Sequence, residues 1–224
     1  MRAFVFALLA GLAAFPAYAQ RLAPTIPASG RTAAAFVPAG YALLPEGRAT
    51  GDLNQDGRPD VALVLRPLAE NRPYYDSETM PGRILLVLFA TARGYMLAEQ
   101  ANQVMLCKNC GGQYGDPFAG LTIRKGVLVV NHYGGSSWRW GVSSKFRYQQ
   151  RGFYLIGETT TLGRSSGDCE NVAGSPGGEY HDINFVTGAY EVRKISETCQ
   201  VLVHQRGKRK PAPLRRLANY TPET

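Results

Sequence analysis

Long apolar runs are the first thing missing from this 224-residue chain. Ala3–Ala14 is its one extended uncharged apolar segment, and it falls short of the ~20 residues a membrane-crossing helix needs. A multi-spanning membrane protein is therefore excluded. Helical patterning is missing too: no window carries an apolar stripe longer than about two turns, which argues against a helical bundle. Histidine is scarce, with only His132, His181 and His204, and neither an HExxH motif nor a paired-histidine spacing occurs. Ser136 and Ser137 lie in a glycine-rich turn but lack the Gly-x-Ser-x-Gly elbow of a serine hydrolase. Acid is short relative to base, 17 residues against 25, for a net charge of +8.

What is present is an ordinary globular composition, 45% apolar, with 25 glycines and 14 prolines that bias it toward turns. The first residues read as an export signal. Arg2 supplies a positive start, Ala3–Ala14 the apolar stretch, Pro16 a helix break, and Ala17-Tyr18-Ala19 a small-x-small cleavage site after residue 19. No cysteine follows the cut, which argues against a lipid anchor. The expectation is a periplasmic or secreted protein, with residues 20–224 forming a single β-rich domain. Nucleic acid is a poor partner for an exported chain, even a basic one.

The cysteines Cys107, Cys110, Cys169 and Cys199 are even in number, and an oxidising compartment favours disulfides. The favoured pairing is Cys107–Cys110 with Cys169–Cys199, since the first pair is already local. A redox CxxC would want a helix start beside it, and residues 106–112 show no helical pattern. A four-cysteine zinc site would want a second close pair.

Residues 20–40, rich in Ala and Pro, are expected to lie extended or as a short helical turn on the surface. Beyond them strands dominate. Val61–Leu65 and Ile84–Phe89 are continuous apolar runs; Tyr95–Glu99 and Val104–Leu106 read as shorter strands. Leu121–Ile123 and Val127–Tyr133 flank a turn at Arg124-Lys125-Gly126. From Trp138 to Tyr148, Trp140, Val142, Ser144 and Phe146 alternate with Arg139, Gly141, Ser143, Lys145 and Arg147, the period of a strand with one face inward. Phe153–Thr161, Ile183–Val186, Ala189–Ile195 and Cys199–His204 complete the series. The fold class is all-β, an antiparallel meander of roughly nine to eleven strands.

One segment carries chemistry: Gly51-Asp52-Leu53-Asn54-Gln55-Asp56-Gly57-Arg58-Pro59-Asp60. With Asp52 as the first position, side-chain oxygens fall at the first, third, fifth and ninth places. Gly57 allows a sharp turn, and the Arg58 carbonyl supplies a further oxygen. Hard oxygen donors at alternate positions suit Ca²⁺, which takes 6–8 of them. The bidentate acid that closes an EF-hand is absent, since its place falls on Leu63 inside an apolar run. A bare Asp-Gly turn would explain Asp56-Gly57 but not the matching offsets of Asp52, Asn54 and Asp60. The run GDLNQDGRPDVALVL resembles the calcium loop and following strand of FG-GAP/VCBS-type repeats, the blade units of integrin-like β-propellers. The resemblance implies Ca²⁺ ligands at Asp52, Asn54, Asp56, Arg58 (carbonyl) and Asp60. It covers one repeat, so it implies a blade-like unit and not a full propeller. Through Gly115-Asp116-Pro117-Phe118 and Tyr133-Gly134-Gly135-Ser136-Ser137-Trp138-Arg139-Trp140, the chain also looks like small exported bacterial proteins that carry a single such repeat.

Other candidates are fewer. Tyr133, Trp138 and Trp140 read as core or as an aromatic platform for a sugar or peptide. Glu158, Glu170, Glu179 and Asp182 could pair for glycoside hydrolysis. Arg206, Lys208, Arg209, Lys210, Arg215 and Arg216 form a basic C-terminal segment, suited to weak contact with anionic lipid or cell-wall polymer. The expected role is a calcium-stabilised module that binds a protein or envelope component. The competing role is a hydrolase of a wall or sugar polymer, its cleft formed by loops 67–82 and 163–178.

Overall fold

The computed structural model describes residues 23–76, 80–169 and 174–223. The expected signal segment, 1–19, lies outside these, as does Glu170. Twelve strands form two antiparallel sheets. The first sheet contains β1 (Ser29–Gly30), β2 (Tyr41–Gly51), β3 (Asp60–Pro67), β4 (Ile84–Thr91) and β5 (Gly94–Ala101), in the order β1-β5-β4-β3-β2. The second is an unbroken meander of β6 (Phe118–Arg124), β7 (Val127–Gly135), β8 (Trp138–Gln149), β9 (Gly152–Arg164), β10 (Glu179–Asn184), β11 (Ala189–Ile195) and β12 (Val201–Lys208). The all-β meander expected from the sequence is present. It is two stacked sheets of five and seven strands, not a closed barrel or ring.

Two layers of side chains hold the sheets. On one face of β3 and β4, Ala62, Val64, Leu85 and Val87 meet Leu121, Leu128, Val130, Phe146 and Leu155 of the second sheet. On the other face, Val61, Leu63, Leu65, Ile84, Leu86 and Leu88 are covered by Ile26 and Phe36 from the N-terminal segment. That segment is extended apart from one 3₁₀ turn, Ala33–Phe36, as expected, but it is not the surface segment the sequence suggests, since Ile26 and Phe36 are buried. Burying a Phe side chain contributes roughly 1.5–3 kcal/mol, so this short cover is a substantial part of the fold. The C-terminus closes the remaining side. Leu217 and Tyr220 enter the inter-sheet core, and the tail pairs with β9 through Leu155 N–H to the Arg215 carbonyl at 2.9 Å.

Several local expectations need correction. β2 is not among the strands expected from the sequence, and it contains Pro45-Glu46-Gly47. Those residues form a wide bulge: Leu43 pairs with Leu65, and the next pair is Arg48 with Leu63. β2 lies at the sheet edge, where a missing proline N–H leaves no ladder bond unmade. Val104–Leu106 is not a strand but a bend. Val104 and Met105 are apolar because they plug the inter-sheet core. The strand expected at Ile183–Val186 ends at Asn184, whose side chain accepts the Val186 and Thr187 N–H groups and starts the turn. The expected Cys199–His204 strand is shifted to Val201–Lys208.

The seam between the sheets carries a buried ion cluster. Arg83 donates from Nε and Nη2 to Glu70 at 2.7 and 2.9 Å, and from Nη1 and Nη2 to Asp116 at 2.8 and 2.5 Å. Burial opposes the Arg83 charge, but the bonds to Asp116 and Glu70 outweigh it and raise its pKa. Asp116 is likewise penalised by burial, yet Arg83 holds it below its ordinary value. Beside this cluster lies buried His132, whose Nε2 accepts the Leu106 N–H at 3.4 Å. Both disulfides are formed as favoured, Cys107–Cys110 and Cys169–Cys199, which fits an oxidising compartment. Among the described residues no helix is long and apolar enough to cross a membrane.

Candidate functional site

The acidic loop joins β2 to β3 at the seam of the two sheets. Its curl is closed by its own side chains. Asp52 accepts the N–H groups of Gln55, Asp56 and Gly57 at 2.7, 3.2 and 2.9 Å. Asn54 Oδ1 accepts Asp56 N–H at 3.1 Å, and Asp56 Oδ1 accepts Arg58 N–H at 2.9 Å. Gly57 takes φ +83°, as the sharp turn requires. Leu53, in the midst of these polar residues, is buried in the inter-sheet core. Gly51 lets the loop approach the second sheet, since a Cβ there would sit 2.5 Å from Ile123 Cγ2.

Asp60 differs from the other donors. It is fully buried; Oδ2 accepts Leu53 N–H at 2.8 Å and Oδ1 accepts Ala90 N–H at 2.8 Å. Burial raises its pKa against the pull of these amides, and the Asp56 charge adds to the rise. Asp60 thus clips the loop to the end of β4. The donor chemistry of the loop, oxygen throughout, fits Ca²⁺. The arrangement fits less completely: among the described residues no three carboxylate, imidazole or thiol groups converge as a metal cluster. Asp52, Asn54 and Asp56 remain on the accessible side of the curl.

The three aromatics of the expected platform do not share a face. Tyr133 pairs with Gly141 and Gly134 with Trp140, so β-alternation sends Tyr133 to the outer face and Trp138 and Trp140 to the inner one. Along that inner face Val142, Ser144 and Phe146 are buried, as the alternation predicts, while Trp138 stays exposed beyond the end of the core. Arg164 lies over Trp138 at 5.2 Å.

Tyr133 belongs instead to a cleft of about 510 Å³ on the outer face of β8–β11. Tyr133, Arg139, Thr161, Tyr180 and Arg193 line its sheet side, and residues 163–168 and 174–178 form its lip. Among the described residues, loop 67–82, the other wall expected of a cleft, contributes none to its lining. Two guanidinium–aromatic stacks set the arginines: Arg139 lies 5.0 Å from the Tyr114 ring and Arg193 5.0 Å from the Tyr180 ring. Tyr114 meets Tyr133 edge-on at 5.0 Å. Glu191 lies 3.5, 3.0 and 3.1 Å from Arg193, His204 and Arg206, and the cleft lining holds three arginines, Arg139, Arg164 and Arg193, beside two carboxylates, Asp168 and Glu179.

Of the candidate acids among the described residues, Asp182 stands apart on the outer face while Glu158 and Glu179 share a groove. Asp182 bonds Lys145 at 3.2 Å and Thr159 at 2.5 Å on the outer face. Glu158 and Glu179 line a groove on the inner face with Trp140 and His181. Glu158 accepts the Tyr220 hydroxyl there, and burial followed by this contact raises the Tyr220 pKa. Glu179 bonds Lys194 at 2.7 Å and His181 at 3.3 Å, and these partners lower its pKa, the opposite of what a general acid needs. The basic C-terminal segment is divided. Arg206 pairs with Glu191, whereas Arg215 lies over Tyr220 and Arg216 reaches Glu99 at 3.5 Å. Sequence reasoning missed Tyr180 and Arg193, whose only signal was an aromatic and a basic residue on neighbouring strands, and Tyr114, which ends a 3₁₀ turn and gave none. No family model, curated protein or solved structure matches the chain.

Proposed function

We propose that this chain is an exported, periplasmic or secreted, binding module whose ligand is a component of the cell envelope. The observation that carries this reading is the open cleft of about 510 Å³ lined by Tyr133, Tyr180, Arg139 and Arg193. Stacked Tyr–Arg pairs form a preset contact surface, and rigid aromatics cost little conformational entropy on binding. Catalysis is less well supported, because Glu179, the acid beside Glu158 in the inner groove, is held ionised by Lys194 and His181.

In this reading residues 51–65 are a single FG-GAP/VCBS-type unit. Ca²⁺ is its structural ion, held by oxygens of Asp52, Asn54, Asp56, Asp60 and the Arg58 carbonyl. The bound ion would offset the mutual repulsion of the loop's three carboxylates. Leu53 and Asp60 would transmit that order to the inter-sheet core and to β4. At a calcium concentration tenfold above Kd the gain is about 1.4 kcal/mol.

Two measurements on the mature chain test the reading. Co-sedimentation with insoluble envelope polymer should deplete the protein from solution without releasing new reducing ends; steady release would make it a hydrolase. Melting with CaCl₂ should exceed melting with EGTA, and Asp56→Ala should abolish the difference. Equal melting temperatures in all three cases would remove calcium from the account.

A further inference from the structure

We infer that the outer-face cleft recognises a sugar bearing an oxyanion, a carboxylate or a phosphate, as a unit of an anionic glycan. This rests on the binding reading of the cleft and adds the chemistry of its ligand.

The argument begins with what the cleft floor cannot do. The strands beneath it, β8 to β11, each have a hydrogen-bonded neighbour on both sides. No strand edge is open to an extended peptide, so ordinary strand addition is unavailable here. A ligand must be held by side chains and by the lip.

Those groups point to one chemistry. Arg139 and Arg193 each lie over a tyrosine ring, which holds the planar fork in place. A guanidinium so held matches a carboxylate or phosphate with two parallel hydrogen bonds. Arg139 donates from Nη1 to the Gly135 carbonyl at 3.2 Å and forms no ion pair among the described residues. Tyr133 and Tyr180 offer ring surface to the C–H faces of a pyranose. The lip carries small residues, Ser165, Gly167, Ser175 and Gly178, and one carboxylate, Asp168, which suits the hydroxyl groups of a sugar better than apolar side chains.

The floor is also shaped. Gly141 lies on the same face between Tyr133 and Thr161. A Cβ there would come within 3.6 Å of the Tyr133 ring and 2.7 Å of Thr161 Oγ1. The latter is the end of a side chain that can rotate away. Gly141 lies outside the positive-φ region, so a β-branched residue is compatible with the strand. Gly141→Val therefore adds a side chain between Tyr133 and Thr161, two of the residues that line the cleft, without a backbone penalty.

The test is calorimetric titration of the mature chain with three oligosaccharides of equal length: an oligogalacturonate, a phosphorylated mannan fragment and a neutral mannan fragment. Poly-glutamate serves as a fourth ligand. At least one anionic sugar should bind more tightly than the neutral one, and its affinity should fall as salt rises from 50 to 300 mM. Arg139→Gln and Arg193→Gln should weaken that ligand by about 10–100-fold, with little effect on the neutral sugar. Gly141→Val should weaken every sugar. Melting temperatures of the variants provide the check on folding. If the neutral sugar binds as well as the anionic ones and the arginine variants change nothing, the oxyanion is wrong while the binding cleft stands. If well-folded Gly141→Val binds undiminished, the cleft itself is not the site. Tighter binding of poly-glutamate than of any sugar would make the ligand an acidic peptide and overturn the inference.

Discussion

In the five-stranded sheet, β3 and β4 read Val61-Ala62-Leu63-Val64-Leu65 and Ile84-Leu85-Leu86-Val87-Leu88, with every residue buried. In the seven-stranded sheet, β8 alternates, and no buried residue of the inter-sheet core comes from β10, β11 or β12. The difference is one of cover. The first sheet is roofed on both faces, by Ile26 and Phe36 on one side and by the second sheet on the other. Continuous apolar strands are the signature of double burial, and alternation that of single burial. The second sheet is longer than the layer it packs against, so its last strands carry polar networks on both faces. A rigid, doubly buried layer thus supports a half-free one, and the candidate ligand surface lies on the free part.

Breaking the cover should have the largest effect. Phe36→Ala removes the aromatic that seals the outer face of β3 and β4 and should cost about 3–5 kcal/mol. Denaturant titration at neutral pH checks it, and a loss below about 1 kcal/mol would mean the N-terminal segment is not part of the core.

Acid should act next, at the seam between the sheets. Burial, helped by nearby Arg83 and opposed by Asp116, lowers the His132 pKa from 6.5 to about 4. The unfolded chain therefore binds this proton first. Stability rises with pH between these values and falls as pH drops through them, by on the order of 3 kcal/mol in full. Above pH 6.5 this contribution is flat. Melting at pH 7 and at pH 4.5 should show a smaller loss for His132→Gln than for the parent chain; equal losses would place the acid sensitivity elsewhere.

The smallest effect should come from the free strands. Leu202 on β12 is 65% exposed, and Leu202→Ala should change stability by no more than about 0.5 kcal/mol. A loss comparable to that of Phe36→Ala would mean β12 is covered in solution, and the contrast between the sheets would fail.

Much of this was legible in the chain before folding. The strands β3, β4, β7, β8 and β11, the turn residues between them, both disulfides and the curl at 52–57 follow from local pattern. What was not legible depended on partners far away. Asp60 looks like one of five equivalent oxygens, yet it is a buried clip because Ala90, thirty residues on, donates to it. Glu70, Arg83 and Asp116 carry no shared spacing, and only stacking of the sheets joins them. Val104 and Met105 mimic a strand because burial, not pairing, selects apolar residues there.

By itself the sequence determined the strand-rich class, the continuous apolar runs of β3 and β4 and the acidic curl. Each is set by side-chain period, turn chemistry or charge spacing within about a dozen residues. Tertiary structure alone decided which side chains meet. It put Tyr133 and the tryptophans on opposite faces, because a one-residue difference in register inverts the direction of a side chain. It also drew Tyr180 and Arg193 to the cleft, because antiparallel pairing makes neighbours of residues that the chain keeps apart.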